Sequence, residues 1–309
     1  MDKTYILYNP HAGNGKAENA ANELALTLEG AELVDMTKVE SYVDFFEKLD
    51  GSDDLVLCGG DGTLNRFVND TRGIDYASKL YYYAIGSGND FARDLGKDAG
   101  AHPNYTVNEY VKDLPTVSIK SERGEIERLF INGVGYGIDG YCCEVGDAFR
   151  EKNERDGTDK PINYTSIAIK GLLFGYKPTS ATVSVDGKQK KYKKVWIAPT
   201  MNGRYYGGGM MPTPEQKRLG EDGERCLSLM IFHDSSKLKT LMIFPSIFKG
   251  EHVKKTKHVE VLCGKEITVE FDAPRALQID GETVLGVTSY TAKVSSAAKT
   301  EIEKSTAAV

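Results

Sequence analysis

Four short apolar runs in the first third of the chain, separated by helix-like segments, constrain the fold more than any other feature. "TYILYN" (4–9), "AELVDMT" (31–37), "DLVLCG" (54–59) and "KLYYYAIG" (79–86) read as strands. A helix with Leu24, Ala25 and Leu28 on one face separates the first two. A second, "VESYVDFFEKL", carries Val39, Val43, Phe46 and Leu49. Runs that are apolar throughout must be covered on both faces, and crossover helices supply that cover. The expectation is a doubly wound parallel sheet. Ligands of such sheets sit beyond the carboxyl ends of the strands, and three glycine-rich stretches fall there.

After about residue 115 the texture changes to alternating runs: "SATVSVDGKQKKYKKVWIA" (180–198), "HVEVLCGKEITVEFD" (258–272) and "ALQIDGETVLG" (276–286). Asp-Gly between alternating segments signals a hairpin. One helix-like piece, "NYTSIAIKGLLFGYK" (163–177), interrupts them. The 309 residues are enough for two cores. The expected organisation is therefore an α/β domain over 1–115 and an antiparallel β-sandwich domain with one helical insertion over 116–309. The tail "SSAAKTEIEKSTAAV" is expected to be weakly ordered.

Composition excludes some classes. A net charge of -6 and a pI near 5.5 argue against a nucleic-acid binder. Five cysteines (58, 142, 143, 226 and 263) form an odd set without a C-x-x-C pair, and five histidines are scattered. Neither a disulfide framework nor a zinc site is expected. "MDKTYILYNP" is too short an apolar run for a signal peptide, and no run approaches the ~20 residues that span a bilayer. A cytoplasmic protein is expected.

The glycine stretches carry the chemistry. "NPHAGNGKA" (9–17) is neither a Walker A loop, with Pro10 where its first glycine belongs, nor a dinucleotide fingerprint, with Glu18 at the third glycine. It is still a glycine-rich turn opening a helix, whose amides can face an anion or simply turn the chain. In "GGDGT", Gly59, Gly60 and Gly62 let backbone amides approach a ligand and Thr63 adds a hydroxyl. Asp61 can be the N-cap of the next helix, or can share phosphate with a Mg²⁺ ion lying between them. "AIGSGNDFARDLG" (84–96) repeats the pattern with Gly86, Ser87 and Gly88 followed by Asn89 and Asp90, a metal–phosphate site or an Asx-capped helix.

In order along the chain, "YNPHAGNGKA", "GGDGTLNRFVN", "GSGNDFARDLG", "FINGVGYGIDG", "MNGRYYGGGMMPTP" and "IDGE" resemble the diacylglycerol kinase catalytic domain family, which includes bacterial lipid kinases and sphingosine kinases. That resemblance implies a nucleotide-binding α/β domain, a β-sandwich domain for the lipid substrate, and ATP with Mg²⁺. The reaction implied is phosphorylation of a lipid hydroxyl in the cleft between them, most simply diacylglycerol to phosphatidic acid in phospholipid synthesis. It puts ATP against Asn9, Pro10, His11, Ala12 and Gly13, against Gly59 to Asn65, and against Ser87. Thr37 and Asn89 are further candidates, and the metal falls to Asp61 and Asp90. The family's catalytic base falls on Glu282, whose bland alternative is a solvated residue after a hairpin. The other Asp-Gly hairpin, "VDGK" at 185–188, continues with lysine, so hairpin chemistry does not demand that glutamate.

Two positions depart from the family pattern. Ser118 in "LPTVSIKS" replaces a usual aspartate. "LGEDGERCLSL" keeps Asp222 and Gly223 of a second, structural Mg²⁺ site that Leu219, through its carbonyl, and Glu224 could complete. A homodimer is the assembly expected from the family.

A lipid substrate implies a membrane surface as partner. Lys188, Lys190, Lys191, Lys193 and Lys194 form one basic cluster; Lys249, Lys254, Lys255 and Lys257, with His252 and His258, form another. Either could orient the protein on anionic lipid, or be a solvated face. Three rival readings compete: an NAD kinase, which shares "GGDGT"; a catalytically silent lipid-binding module; and a dinucleotide-dependent oxidoreductase. The last rests on "GYGIDG" (135–140) with Asp156 and Asp159 as the ribose acids.

Overall fold

The structure, a computed structural model, describes residues 3–295 other than 14, 123, 159, 161, 222 and 223, with every side chain but that of Thr165. Its first part alternates β1 (Thr4–Tyr8), α1 (Lys16–Ala25), β2 (Glu32–Asp35), α2 (Tyr42–Glu47), β3 (Asp54–Gly59), α3 (Asp61–Asp70) and β4 (Lys79–Ala84). Two short helices follow, α4 (Asp90–Asp94) and α5 (Asn108–Val111). The four strands form one parallel sheet in the order β2-β1-β3-β4. The expected double winding is present, with the order reversing between β1 and β3. α1 buries Ala17, Ala21 and Leu24. Around α2, Val39, Phe46 and Leu49 pack on the core as expected, joined by buried Tyr42 and by Phe45, while Val43 is exposed.

The second part holds β5 (Thr116–Ser121), β6 (Gly124–Leu129), β7 (Gly133–Tyr136), α6 (Ile138–Asp156), α7 (Tyr164–Lys170), β8 (Thr179–Val185), β9 (Lys188–Val195) and β10 (Thr200–Met201). It closes with β11 (Leu227–Phe232), α8 (Lys237–Ile243), β12 (Val259–Gly264), β13 (Glu266–Ile279) and β14 (Glu282–Lys293). These ten strands form one antiparallel, folded sheet. β13 makes the fold possible: its first half pairs with β8 and its last three residues with β7, with irregular register around Arg275. Tyr136, Phe271 and Tyr290 pack edge to face in the core so enclosed.

Both Asp-Gly hairpins form, with left-handed Asp186 and Gly187 joining β8 to β9, and Asp280 and Gly281 joining β13 to β14. "HVEVLCGKEITVEFD" is not a hairpin, because β12 pairs with β11 and β13 with other strands. More than one helical insertion is present: α6 runs for 19 residues. The cysteine expectation is also corrected, since Cys226 and Cys263 form a disulfide, their Cα atoms 6.1 Å apart. The pairing of β11 with β12 brings them together, which an odd count conceals.

The segment 131–136 crosses between the two cores. Ile131 is buried against the parallel sheet, whereas Val134 and Tyr136 belong to the antiparallel core. Asn132, between them, is left at the junction.

Candidate active site

A parallel sheet brings the carboxyl ends of all its strands to one edge. The loop Asn9–Gly13 follows β1, Thr37 follows β2, Gly59–Thr63 follow β3, and Gly86–Asp90 follow β4. Most of these candidates therefore share one rim. Pro10 and Ala12 are half-buried and His11 and Gly13 exposed in the first loop, where the Asn9 side chain accepts from the His11 amide at 3.0 Å. Ser87 is exposed. Thr37 is exposed too, its hydroxyl donating to Asp35 at 2.7 Å.

The second and third loops touch backbone to backbone. A Cβ on Gly86 would stand 2.6 Å from the Gly60 Cα, so neither position admits a side chain without moving a loop. That contact aligns two carboxylates. Asp61 is not the N-cap of α3; Gly60 is. Instead Asp61 reaches across to cap α4, accepting from the Asp90 and Phe91 amides at 2.9 Å each. Asn89, left-handed with φ 51°, offers α4 no side-chain cap of its own. Its amide nitrogen donates to the Gly86 carbonyl at 2.5 Å, and its buried Oδ1 has no partner.

Asp90 is buried and accepts from the Gly208 amide at 2.7 Å. Burial pushes its carboxyl up to about 6; the Gly208 amide opposes that rise and neighbouring Asp61 adds to it. At Gly88 a Cβ would lie 3.6 Å from both Asp61 Oδ2 and Asp90 Oδ2, so the absent side chain leaves room exactly where the acids converge. Thr63 and Asn65 are buried beneath: Thr63 packs on Gly59, and Asn65 Nδ2 donates to Asp280 at 2.7 Å.

Residues that sequence reasoning assigned no role complete this centre. Asn132 Nδ2 donates to Asp61 Oδ1 at 3.2 Å. Buried Arg218 donates to Asn132 Oδ1, to the Ile131 carbonyl at 2.6 Å and to Asp94 at 2.5 Å. Asp280 accepts from the amides of Ile131, Asn132 and Gly133 at 2.6, 2.8 and 2.9 Å. Burial raises its carboxyl and these donors oppose the rise. The hairpin aspartate thus clamps the 131–133 crossing, which carries the donor facing Asp61. The hint in the sequence was that Asn132 and Asp280 stood in the shared motifs "FINGVGYGIDG" and "IDGE"; Arg218 lies outside every one of them.

Glu282, two residues past Asp280, is exposed and ion-paired to Arg128 at 2.5 Å. It lines an open cleft of about 390 Å³ with Gly281, Thr283 and the α6 residues Asp147, Arg150, Glu151 and Glu154. Ser118 sits on β5, its hydroxyl 3.3 Å from Glu127. Of the second metal set, Leu219 is half-buried and Glu224 is exposed and paired with Lys265 at 2.6 Å; Asp222 lies outside the described residues. The structure therefore brings Glu224 to a lysine. "GYGIDG" runs from β7 into α6, but β7 pairs antiparallel on both sides, which is not the βαβ unit a dinucleotide fingerprint requires. Asp156 ends α6, and Asp159 is outside the described residues.

Among the described residues no three Asp, Glu, His or Cys groups cluster as a metal cage. Mg²⁺ needs none, since it keeps several waters and takes one or two carboxylates plus phosphate oxygens. Asp61 and Asp90 supply those carboxylates, and the gap at Gly88 adjoins them. The donor set fits Mg²⁺ held with a polyphosphate.

Residues 3–117 match the family model described as diacylglycerol kinase catalytic domain, and residues 133–299 match the YegS C-terminal NAD kinase beta sandwich-like domain. A diacylglycerol kinase of Mycobacterium tuberculosis (strain ATCC 25618 / H37Rv) is 27% identical over 279 residues, covering 84% of this chain and 85% of the relative. The fold is similar to a crystal structure described as a diacylglycerol kinase from Bacillus anthracis str. Sterne. There the TM-score is 0.56 at 17% identity, with 95% of this chain and 93% of that one covered.

Proposed function

This chain belongs to the diacylglycerol kinase catalytic domain family, and from that premise we propose that it transfers the γ-phosphoryl group of ATP to a lipid hydroxyl, with diacylglycerol as acceptor. Residues 1–115 take the nucleotide and 116–309 the lipid. The observation that carries this reading is the convergence of Asp61 and Asp90 on the gap at Gly88, at the strand-end rim. A buried carboxylate, Asp90, and a half-buried one, Asp61, beside glycine loops repel phosphate unless a divalent cation stands between them. Mg²⁺ held there would neutralise charge on the β- and γ-phosphate oxygens.

The protein's own part is positioning. The Asn9–Gly13 loop, the Gly60–Gly86 contact and exposed Ser87 line the rim along which the nucleotide lies. Asn132 fixes Asp61 against α4. Glu282, on the cleft beside α6, takes the proton of the acceptor hydroxyl as its oxygen bonds to the γ-phosphorus and the bond to ADP breaks. The choice of diacylglycerol is supported by the name of the M. tuberculosis relative.

A second reading, a kinase acting on NAD, draws on the description of the domain matched at 133–299. One assay separates them. The protein is incubated with labelled ATP, Mg²⁺ and a panel of diacylglycerol, sphingosine, prenol and NAD. Label in diacylglycerol is expected; label in NAD alone overturns the lipid reading, and label in none of them leaves a silent lipid-binding module.

A further inference from the structure

Resting on the reading of the substrate as a lipid, we propose that α7, α8 and the turns after each form a face that docks on an anionic phospholipid bilayer. This face exposes large apolar side chains: Phe174 is 81% exposed, Met242 73%, Leu238 68% and Phe248 42%. Phe174 lies in the π turn Gly171–Gly175 that follows α7. Leu238 and Met242, four residues apart, share the outer side of α8, while Thr240 and Ile243 are buried on the inner side. Lys237 Nζ donates to the Leu173 carbonyl at 3.1 Å, which fastens the start of α8 to the turn carrying Phe174. Phe248 belongs to the 3₁₀ turn Phe244–Lys249 next along the chain.

Charge identifies the partner. Segments 163–177 and 236–249 hold five lysines and no acid, in a chain of net charge -6. Apolar side chains projecting among lysines match the boundary between anionic headgroups and acyl chains. A second copy of the chain is a poor partner, since it would set one group of lysines against another. Among the described residues no helix is long and apolar enough to cross a membrane, so surface docking is the route by which these helices can meet lipid.

The lysine run of β9 differs. Lys190 pairs with Glu260 at 2.6 Å and Lys191 with Asp272 at 3.4 Å, and the strand's one aromatic, Tyr192, is buried. It is a solvated strand face. His252 and His258, grouped with the second cluster on sequence, are buried and take no part in docking.

The test is co-sedimentation, without ATP, with vesicles of phosphatidylcholine alone or with about 30% phosphatidylglycerol. Binding to the anionic vesicles only, weakened by salt, is expected. Leu238→Ser with Met242→Ser should lower the partition about tenfold, and Lys239→Glu with Lys249→Glu about thirtyfold or more. Lys190→Glu with Lys191→Glu on β9 should leave it unchanged. Equal binding by all variants, or a loss confined to the β9 variant, overturns the proposal. So does a wild-type dimer that the Leu238 and Met242 substitutions convert to monomer in sedimentation velocity, which makes this face a self-interface. Anionic binding without phosphorylation of any lipid sinks the kinase reading and leaves the docking face. Phosphorylation in detergent micelles without vesicle binding does the reverse.

Discussion

Asn132 donates to Asp61 across 3.2 Å, although the two residues come from different parts of the chain and stand 71 positions apart. Arg218 sets the polarity of that contact. Its guanidinium donates to Asn132 Oδ1, so only the NH₂ end of the amide can face Asp61. The contact that steadies Asp61 is thus an amide oriented by the second half of the molecule, and the placement of Asp61 depends on both halves.

Reversing that amide's chemistry should be costly. Asn132→Asp puts a carboxylate against Asp61, and turnover is expected to fall about 10²-fold. Asn132→Ala only removes the donor and should cost about tenfold. Arg218→Lys cannot serve Asp94, the Ile131 carbonyl and Asn132 at once. The lost buried hydrogen bonds should appear as a stability loss of about 2 kcal/mol in denaturant unfolding.

Asp61 holds α4 by accepting two amides, and in the proposed reaction it also faces the metal. Asp61→Asn keeps one acceptor, so helix capping should lose only about 1 kcal/mol. Turnover with labelled ATP should fall by about 10²–10³-fold. A variant that keeps most of its ATP-dependent turnover refutes the metal role.

The parallel sheet was readable because its central strands β1 and β3 carry uninterrupted apolar runs and helices separate its strands. The Asp-Gly turns were readable because left-handed backbone selects those residues. α6 was not: it buries Ile138, Asp139, Gly140, Cys142 and Gly146 near its start and then runs as a charged, solvated rod, so no apolar stripe marks it. In the site, the glycine loops and Asp61 announced themselves by composition. Asn132, Arg218 and Asp280 did not, since their roles arise where segments 71 to 215 residues apart meet. Asp280 looked like a turn residue and is one, while its carboxylate also clamps the crossing strand.

Glu282 makes no buried contact, only an exposed ion pair with Arg128. Such pairs contribute at most about 1 kcal/mol, so Glu282→Gln should leave the thermal midpoint nearly unchanged. As the proposed base it should lose about 10²-fold in turnover, no more than Asp61→Asn. Full activity in Glu282→Gln assigns the residue to the solvated hairpin instead.

Asp90 gives the site a pH dependence whose sign can be worked out. Burial raises its carboxyl to about 6, whereas an unfolded aspartate titrates near ~3.9. The folded state holds this proton more tightly, so the group favours folding below about pH 4 and loses that contribution as pH rises through 6. A cation bound against the ionised pair offsets the loss. Mg²⁺ should therefore raise the melting midpoint by about 2–4 °C at pH 7.5 and by little at pH 5. Asp139, also pushed up to about 6 by burial, titrates in the same window, but its bonded neighbour is Tyr206. Asp139→Asn should keep the Mg²⁺ increment and Asp90→Asn should abolish it. An increment equal at both pH values, or one that survives in Asp90→Asn, takes Asp90 out of the metal site.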